Sequence, residues 1–291
     1  MTTPDHIQVG QLLPFMFDNI PVRGKLLRLD DLNLHVPALH DKPENFVQML
    51  CDMVSAAVLF SHDLKNANRV TLQIQSEGDV PLLVAQCLAG NTLKAYGKTK
   101  TDITGKRFID LFNNNAILAL SVDMPHAPQP YQSFVELNHQ SLTSSLEQYF
   151  SQSAQVKTYL RVFSGMVNGK TACAAIFLQA LPGENLSEDD WHRLGLILNT
   201  ITLAEALPGT VSDLDLLRRL FIEDDLRLFE AQPLTFNPRH NREKMCEALK
   251  SLGLEACLGL LQDGKISMTD EFSGFSETFT EADLRALFSQ D

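Results

Sequence analysis

The five cysteines are the side chains with the most direct capacity for metal or redox chemistry, and they stand at Cys51, Cys87, Cys173, Cys246 and Cys257. No two of them are spaced as Cys-x-Cys or Cys-x-x-Cys. Thiolate zinc sites depend on such pairs, and disulfide frameworks use an even number of cysteines, so the pattern disfavours both. The first three lie in apolar runs and are predicted to be buried, inert thiols. A regulatory pairing of the last two stays open.

Motifs of known enzymes are not matched. The segment from Gly165 to Thr171 resembles a phosphate-binding loop, but the residue five places before Gly169 is Ser164, so the spacing is one residue short. Asn168 followed by Gly169 is instead typical of a tight β-hairpin turn. Neither G-x-S-x-G nor H-E-x-x-H occurs in the sequence. We therefore predict no enzymatic activity and no cofactor.

Acidic residues outnumber basic ones, giving a formal net charge of −12. This argues against a nucleic-acid partner, because phosphate binding uses clustered Lys and Arg. Two carboxylate runs, Glu188–Asp190 and Glu223–Asp225, are expected to face solvent, the first in the opening turn of a helix. No window approaches the roughly 18 uninterrupted apolar residues of a membrane helix, and the N-terminus does not resemble a secretion signal. We expect a cytoplasmic protein without a membrane partner.

Residues 1–182 combine helical and strand patterns. Apolar residues recur with helical spacing from Phe46 to Phe60 and again within Ser141–Ser151. Strand-like runs bounded by turn signals lie at Thr71–Gln75, Leu82–Cys87, Ala116–Val122, Val156–Phe163 and Thr171–Leu178. The segment is predicted to be an α+β domain, with helices on an antiparallel or mixed sheet.

Residues 183–234, which we call the linker, are predicted to be helical and acidic. Capping patterns begin one helix at Ser187 and a second at Ser212. Their apolar stripe must pack on the first domain or be exposed. The stripe consists of Trp191, Leu194, Leu198 and Ile201 on the first helix and of Leu214, Leu217, Phe221 and Leu228 on the second.

Residues 235–291 are predicted to form a small C-terminal module of helix, helix, hairpin and helix. Asp263-Gly264 turns into a strand at Ile266–Thr269, and Thr280 caps the last helix. A unit this small is marginal without a metal or a disulfide. It must depend on docking to the rest of the chain or on apolar packing by Phe236, Leu249, Leu261, Ile266, Phe272 and Phe279.

Blocks along nearly the whole chain resemble the heat shock protein 33 family of redox-regulated chaperones. They include Val22-Arg23-Gly24, TLQIQSEGDVPLLVAQC, LKAYGKT, TSSLEQYFSQSAQVKTYL, LRRLF and DDLRLFE, in order. The resemblance implies ATP-independent holding of unfolding proteins in the bacterial cytoplasm by a form that dimerises on activation. It also implies an N-terminal sheet-and-helix domain, a helical linker and a C-terminal zinc-binding module.

The resemblance further implies four zinc-binding cysteines in the C-terminal module, and those positions hold other residues here. They are Pro238, His240, Asp270 and Ser273, a set without thiolates. We therefore expect no bound metal and no thiol switch, although weak metal binding by His240 and Asp270 stays open. Without zinc, the linker is either held closed by packing until heat or another stress opens it, or is already partly open.

The partners that the resemblance implies are unfolded or partly folded client proteins. The residues that we predict to bind them belong to the linker stripe: Trp191, Leu194, Leu198, Ile201, Leu217 and Phe221. The same stripe also serves as a seal between linker and first domain if it is hidden at rest. A competing hypothesis is an adaptor that has lost general chaperone activity and binds a single partner.

Overall fold

A computed structural model describes residues 7–64, 66–112, 116–137, 141–236 and 242–289. The chain divides into two compact units, Met1–Asn237 and Pro238–Asp291. Both combine helices with strands, so the predicted α+β class is confirmed. Among the described residues, no helix has the length and apolar character needed to cross a membrane.

Eleven of the strands in the described residues form one mixed sheet, in the order β7-β6-β3-β4-β5-β11-β1-β2-β9-β8, with β10 paired to β1. The strands are β1 Ile7–Phe17, β2 Val22–Leu29, β3 Arg69–Gln75, β4 Leu82–Leu88, β5 Thr92–Lys98, β6 Ile117–Asp123, β7 Tyr131–Val135, β8 Thr158–Val167, β9 Lys170–Ala180, β10 Leu226–Leu228 and β11 Gln232–Phe236. In the second unit, β12 Lys265–Thr269 and β13 Ser276–Thr280 form an antiparallel hairpin.

Along the sequence, most helices lie between strands. They are α1 Leu32–His35, α2 Glu44–Asp63, α3 Phe108–Leu111, α4 Leu142–Tyr149, α5 Glu188–Leu198, α6 Leu203–Ala206, α7 Asp213–Leu220, α8 Arg242–Leu252, α9 Leu254–Gly259 and α10 Glu281–Phe288. A 3₁₀ turn spans Pro37–Leu39, and a π-helical segment, Phe150–Ala154, follows α4. The predicted caps are confirmed, since Ser187 and Ser212 accept hydrogen bonds from the backbone N–H groups of Asp190 (3.0 Å) and Asp215 (3.1 Å).

Both faces of strand β9 are buried, which explains its unbroken apolar run. Cys173, Ala175 and Phe177 point to a core cluster that also contains helix α2, and we call this the inner face of the sheet. Ile176 and Leu178 point the other way, to a separate cluster that contains the linker helices, and we call this the outer face. A strand covered on both faces needs no polar residues in alternate positions.

Strand β11 joins the two halves of the sheet. It pairs in parallel with β5, where Thr235 lies opposite Thr92, and antiparallel with β1, where Leu234 lies opposite Gly10. Phe236, which the sequence analysis assigned to the C-terminal module, is therefore part of the first unit, where it is 4% exposed. The chain segment that follows the linker helices is thus a central strand of the large sheet.

The second unit has a small apolar core of its own. Met245, Leu249, Cys257, Phe279 and Leu284 are its buried members. The predicted hairpin and final helix are confirmed, and the side chain of Thr280 accepts from the backbone N–H of Asp283 at 3.3 Å. The sequence also predicts Asn241 as the cap of the first helix of this unit, and this residue lies outside the described residues.

The linker differs from the predictions in three places. Helix α5 ends at Leu198, so Ile201 lies beyond its end rather than on it. Helix α7 ends at Leu220, and Leu228 lies in strand β10 opposite Phe15 rather than on the helix. The predicted stripe member Leu214 is 38% exposed, whereas Leu216 and Leu220, which were not selected, are buried. Helix α7 thus turns its buried side slightly away from the side that the apolar spacing indicated.

Candidate functional site

The structure brings the predicted client-binding residues together in one buried cluster. Each of the six side chains is 9% exposed or less, and they are Trp191, Leu194, Leu198, Ile201, Leu217 and Phe221. They pack on the outer face of the sheet, which contributes Leu13, Phe15, Phe17, Val22, Leu26, Ala172, Ala174, Ile176 and Leu178. We call this assembly the outer-face cluster. Two apolar surfaces, one on the linker and one on the sheet, therefore cover each other.

Aromatic contacts fix the position of helix α5 and of the end of helix α7. The rings of Trp191 and Tyr159 are stacked, with centroids 4.3 Å apart and planes 7° apart. Gly195, one turn further along α5, makes this approach possible, because a Cβ there would lie 2.5 Å from the Tyr159 hydroxyl oxygen. Phe221 meets Phe17 edge to face at 5.0 Å. Such aromatic pairs contribute about 0.5–1.5 kcal/mol each beyond the area that they bury.

Arg28 of strand β2 is the main polar contact between the sheet and the linker. Its guanidinium donates to the backbone carbonyls of Glu205 (2.6 Å), Ala206 (2.8 Å) and Val211 (2.5 Å), and to the carboxylate of Asp213 (3.0 Å). The side chain is only 6% exposed. Burial lowers the pKa of Arg28, and the Asp213 carboxylate opposes that shift. One side chain of the sheet thus holds the end of α6, the following turn and the start of α7.

Asp213 receives a second donor from the sheet. The side-chain amide of Gln11 on β1 donates to it at 2.7 Å. The carboxylate therefore lies between Arg28 and Gln11, on two adjacent strands. Because Asp213 is the first residue of α7, its negative charge also lies at the end of the helix that favours it.

A second buried ion pair stabilises the far end of the linker. Arg193 of α5 donates twice to Asp224, at 2.9 and 2.7 Å, and the side-chain amide of Asn19 donates to the same carboxylate at 3.0 Å. Although burial acts to raise the pKa of Asp224, these hydrogen bonds hold it below its usual value. The Asp224 side chain is 1% exposed. The prediction that all carboxylates of the run Glu223–Asp225 face solvent is therefore wrong for Asp224.

The sequence analysis missed both of these polar contacts. Arg28 was overlooked although it stands between Leu27 and Leu29, where a cation flanked by apolar residues indicates a buried partner. Asp224 carried no comparable signal, since its neighbours in sequence are also acidic and its partner Arg193 lies 31 residues away.

Two of the positions implied to bind zinc form a hydrogen-bonded turn. The Asp270 carboxylate accepts from the backbone N–H of Phe272 at 3.0 Å, and the Ser273 hydroxyl accepts from that of Phe275 at 3.3 Å. The Asp270 backbone also bonds to Phe275 and Gly274, each at 2.8 Å. Pro238 and His240 lie outside the described residues. Among the described residues, no cluster of three or more His, Cys, Asp or Glu side chains could hold a metal ion.

The fold and the covered cluster define a class: a two-unit α+β protein whose amphipathic linker helices cover one apolar face of a mixed sheet. The structure is similar to the crystal structure of the 33 kDa chaperonin from Thermotoga maritima, with a TM-score of 0.80 over 96% of this chain and 98% of that chain, at 20% identity. This likeness establishes a shared fold.

Sequence comparison identifies the family. The model of the Hsp33 protein family matches residues 10–280. A 33 kDa chaperonin from Nitrosococcus oceani is 32% identical, over 95% of this chain and 93% of that protein. One from Pseudomonas fluorescens is 34% identical, over 94% and 92%. The chain belongs to the heat shock protein 33 family, a family of chaperones rather than enzymes.

Proposed function

We propose that this protein is an ATP-independent holdase that captures unfolding proteins on the outer-face cluster after the linker helices are released. The observation that supports this proposal is the outer-face cluster, in which the amphipathic helices α5–α7 cover a continuous apolar face of the sheet. An apolar surface of this kind binds other unfolded chains once it is uncovered. The chaperone function follows from the family, and the bacterial relatives support the cytoplasm as its location.

The release that we propose is restricted to residues 183–225. Strand β11 lies between β5 and β1, so removing it would break the large sheet in its middle. Helices α5–α7 contact the sheet mainly through apolar side chains, and the Arg28, Gln11 and Asp224 contacts described above add polar links. Release of these helices uncovers the sheet residues Phe15, Phe17 and Ile176 together with the linker stripe.

We further propose that zinc does not control this release. The positions Asp270 and Ser273 use their side-chain oxygens to stabilise a turn, and a carboxylate with a hydroxyl is a poor substitute for two thiolates. An ion pair between Arg242 and Glu277 and the Arg242 guanidinium over the Phe279 ring at 5.6 Å join α8 to the hairpin. Packing and charge thus take the place that a metal would have in joining these elements.

The cysteines do not support a thiol switch either. Cys51, Cys87, Cys173 and Cys257 are buried, and Cys246 is the one partly exposed thiol among the described residues. A hydrogen bond with Cys173 and, to a smaller extent, burial raise the pKa of Cys51. Burial also raises the pKa of Cys87. Since the thiolate is the reactive form, a raised pKa lowers reactivity toward oxidants.

The proposal is tested by client range and by metal content. The purified protein, with no peroxide added, should suppress the heat-induced aggregation of several unrelated proteins and contain no stoichiometric zinc by elemental analysis. Peroxide should change neither result. Binding of one folded protein at a defined ratio, with no protection of others, would support the adaptor hypothesis instead. A strict requirement for peroxide would contradict the absence of a thiol switch.

A further inference from the structure

Strand β7 is an edge of the large sheet in the part of the chain that the structure describes. Among the described residues it pairs only with β6, through five consecutive residues from Tyr131 to Val135. Its sequence, Tyr-Gln-Ser-Phe-Val, contains neither a charge nor a proline. Natural edge strands usually carry such features, or bulges, because a bare row of backbone N–H and C=O groups accepts another strand.

The opposite edge of the sheet differs in this respect. Strand β8 carries Arg161, which pairs with Glu147 of helix α4 at 2.9 Å. Its Tyr159 is covered by Trp191 of the linker. Among the described residues, β7 has neither an ion pair nor an aromatic cover of this kind, so the two edges of the sheet differ.

Two cavities lie on either side of β7. On the inner face, a cavity of about 310 Å³ is lined mainly by apolar side chains, among them Phe60, Met124 and Tyr131. On the outer face, a hollow of about 550 Å³ is lined by residues that include Ile117 and Phe134. Tyr131 and Phe134 are 64% and 65% exposed. Each cavity therefore has one aromatic side chain of β7 in its wall.

The exposed aromatic side chains of β7 alternate between the two faces of the sheet. Tyr131 lies opposite Val122 and Phe134 opposite Ala119 on β6, so the two aromatic side chains point to opposite faces of the sheet. A strand added beside β7 would likewise direct successive side chains to the two faces. The outer hollow is lined with the neutral side chains of Gln73 and Gln75 as well as one carboxylate, that of Glu77.

We propose that β7 binds an extended, mainly uncharged polypeptide segment of an unfolding protein as an added strand, with alternate apolar side chains against the exposed rings of Tyr131 and Phe134 on the two faces. This inference rests on the proposed function and extends it. Strand β7 belongs to the half of the sheet that lies outside the outer-face cluster. The edge is therefore open while the linker is still docked, and it provides a first contact with the client before the larger surface is released.

The test uses the full-length protein at 25 °C and a fluorescent probe peptide. The peptide has about seven residues, alternating Val and Thr around a central Phe, which suits a strand of this length. Binding is followed by fluorescence anisotropy, while the emission of Trp191, the single tryptophan of the chain, reports whether the linker is docked. A second peptide, N-methylated at every residue, lacks the main-chain donors on both of its edges that strand addition needs.

The variant Tyr131→Lys/Phe134→Lys places charges on the edge without touching the core. The control, Met166→Lys, changes a residue of the same exposure, 64%, on the opposite edge strand. We expect the double substitution to weaken peptide binding at least about tenfold, with Trp191 emission unchanged. Met166→Lys should bind the peptide as the parent protein does, and the N-methylated peptide should not bind.

Equal binding by the double variant, or binding only when Trp191 emission shows a released linker, would overturn the proposal. A dimer that the double substitution dissociates in sedimentation, with no peptide binding, would assign the edge to a second copy and also overturn it. Failure of the proposed function is seen separately, as a lack of protection of heated clients by the parent protein, since the peptide titration does not depend on that result.

Discussion

Replacing Arg28 should release the linker at ordinary temperature. The substitution Arg28→Met keeps an unbranched apolar stem and removes all four hydrogen bonds to Glu205, Ala206, Val211 and Asp213. Three carbonyls and a carboxylate then lose their buried donor. Removing one partner of a buried charged pair costs about 3–5 kcal/mol. This free-energy cost destabilises only the docked state, because water can donate hydrogen bonds to these carbonyl and carboxylate groups in the released state.

A loss of this size changes the docking equilibrium by a factor of about 10²–10³. If docking is worth only a few kcal/mol in the parent protein, the variant should populate the released state at 25 °C. Arg28→Lys should have a smaller effect, since an ammonium group keeps the charge but cannot reach carbonyls on both sides of the turn at once. The fraction of protein with a released linker should therefore be largest for Arg28→Met, smaller for Arg28→Lys and smallest for the parent protein.

Trp191 provides the assay. Release should separate it from Tyr159 and shift its emission to longer wavelength, while far-ultraviolet circular dichroism keeps most of its amplitude because the sheet remains. Client protection should appear without heating. The control is Arg23→Met on the same strand, since Arg23 bonds to Gln179 and Asp63 within residues 1–182 and not to the linker. An Arg28→Met protein that folds, keeps the parent emission and needs the same heating for activity would refute this reasoning.

Three further predictions concern the outer-face cluster, the second ion pair and a buried carboxyl. Leu198→Ser with Ile201→Ser should lower the temperature of the Trp191 transition and weaken client capture; a variant that stays docked and protects clients normally would refute the assignment of these residues. Arg193→Met should leave Asp224 buried without its cation and weaken docking by about 3–5 kcal/mol at pH 7. The loss should be smaller at about pH 3, because the buried carboxyl that has lost Arg193 then takes up a proton; equal loss at both pH values in fluorescence titrations would contradict this. Burial raises the pKa of Asp52 to about 7 from 3.8, against a hydrogen bond from Gln48, so the folded state binds this proton more tightly, and the resulting stability is full below about pH 4 and is lost as the pH rises through 7. Asp52→Asn should therefore raise the free energy of unfolding more at pH 8 than at pH 5, by at most about 3 kcal/mol in urea unfolding, and no pH dependence of that difference would refute the assignment.

Local signals in the sequence predicted the helices and tight turns well. The capping residues Ser187 and Ser212 mark the starts of α5 and α7 where the structure has them. Asn168 and Gly169 adopt φ angles of 52° and 78°, as the predicted hairpin turn requires. These features depend on neighbouring residues alone, which is why a single sequence is sufficient to find them.

Features that depend on distant pairing were not predictable in the same way. Strand β11 contains Pro233, a residue that argues against a central strand, and its place between β5 and β1 is fixed by residues more than a hundred positions away. The division of the first unit into a core and a linker stays a prediction, as does the binding role of the six stripe residues. Their spacing predicted a shared apolar stripe but left open whether it is buried or exposed, and the sheet residues opposite them, such as Phe15 and Ile176, could be identified only in the fold.

The central claim is that release of α5–α7 and client binding are one event. Heating a single sample in the presence of an aggregating client, with Trp191 emission and light scattering recorded together, tests it most directly. The account predicts that the two signals change over the same temperature range, below the loss of the sheet in circular dichroism. Full protection while Trp191 is still buried, or complete release of the linker without any protection, would contradict it.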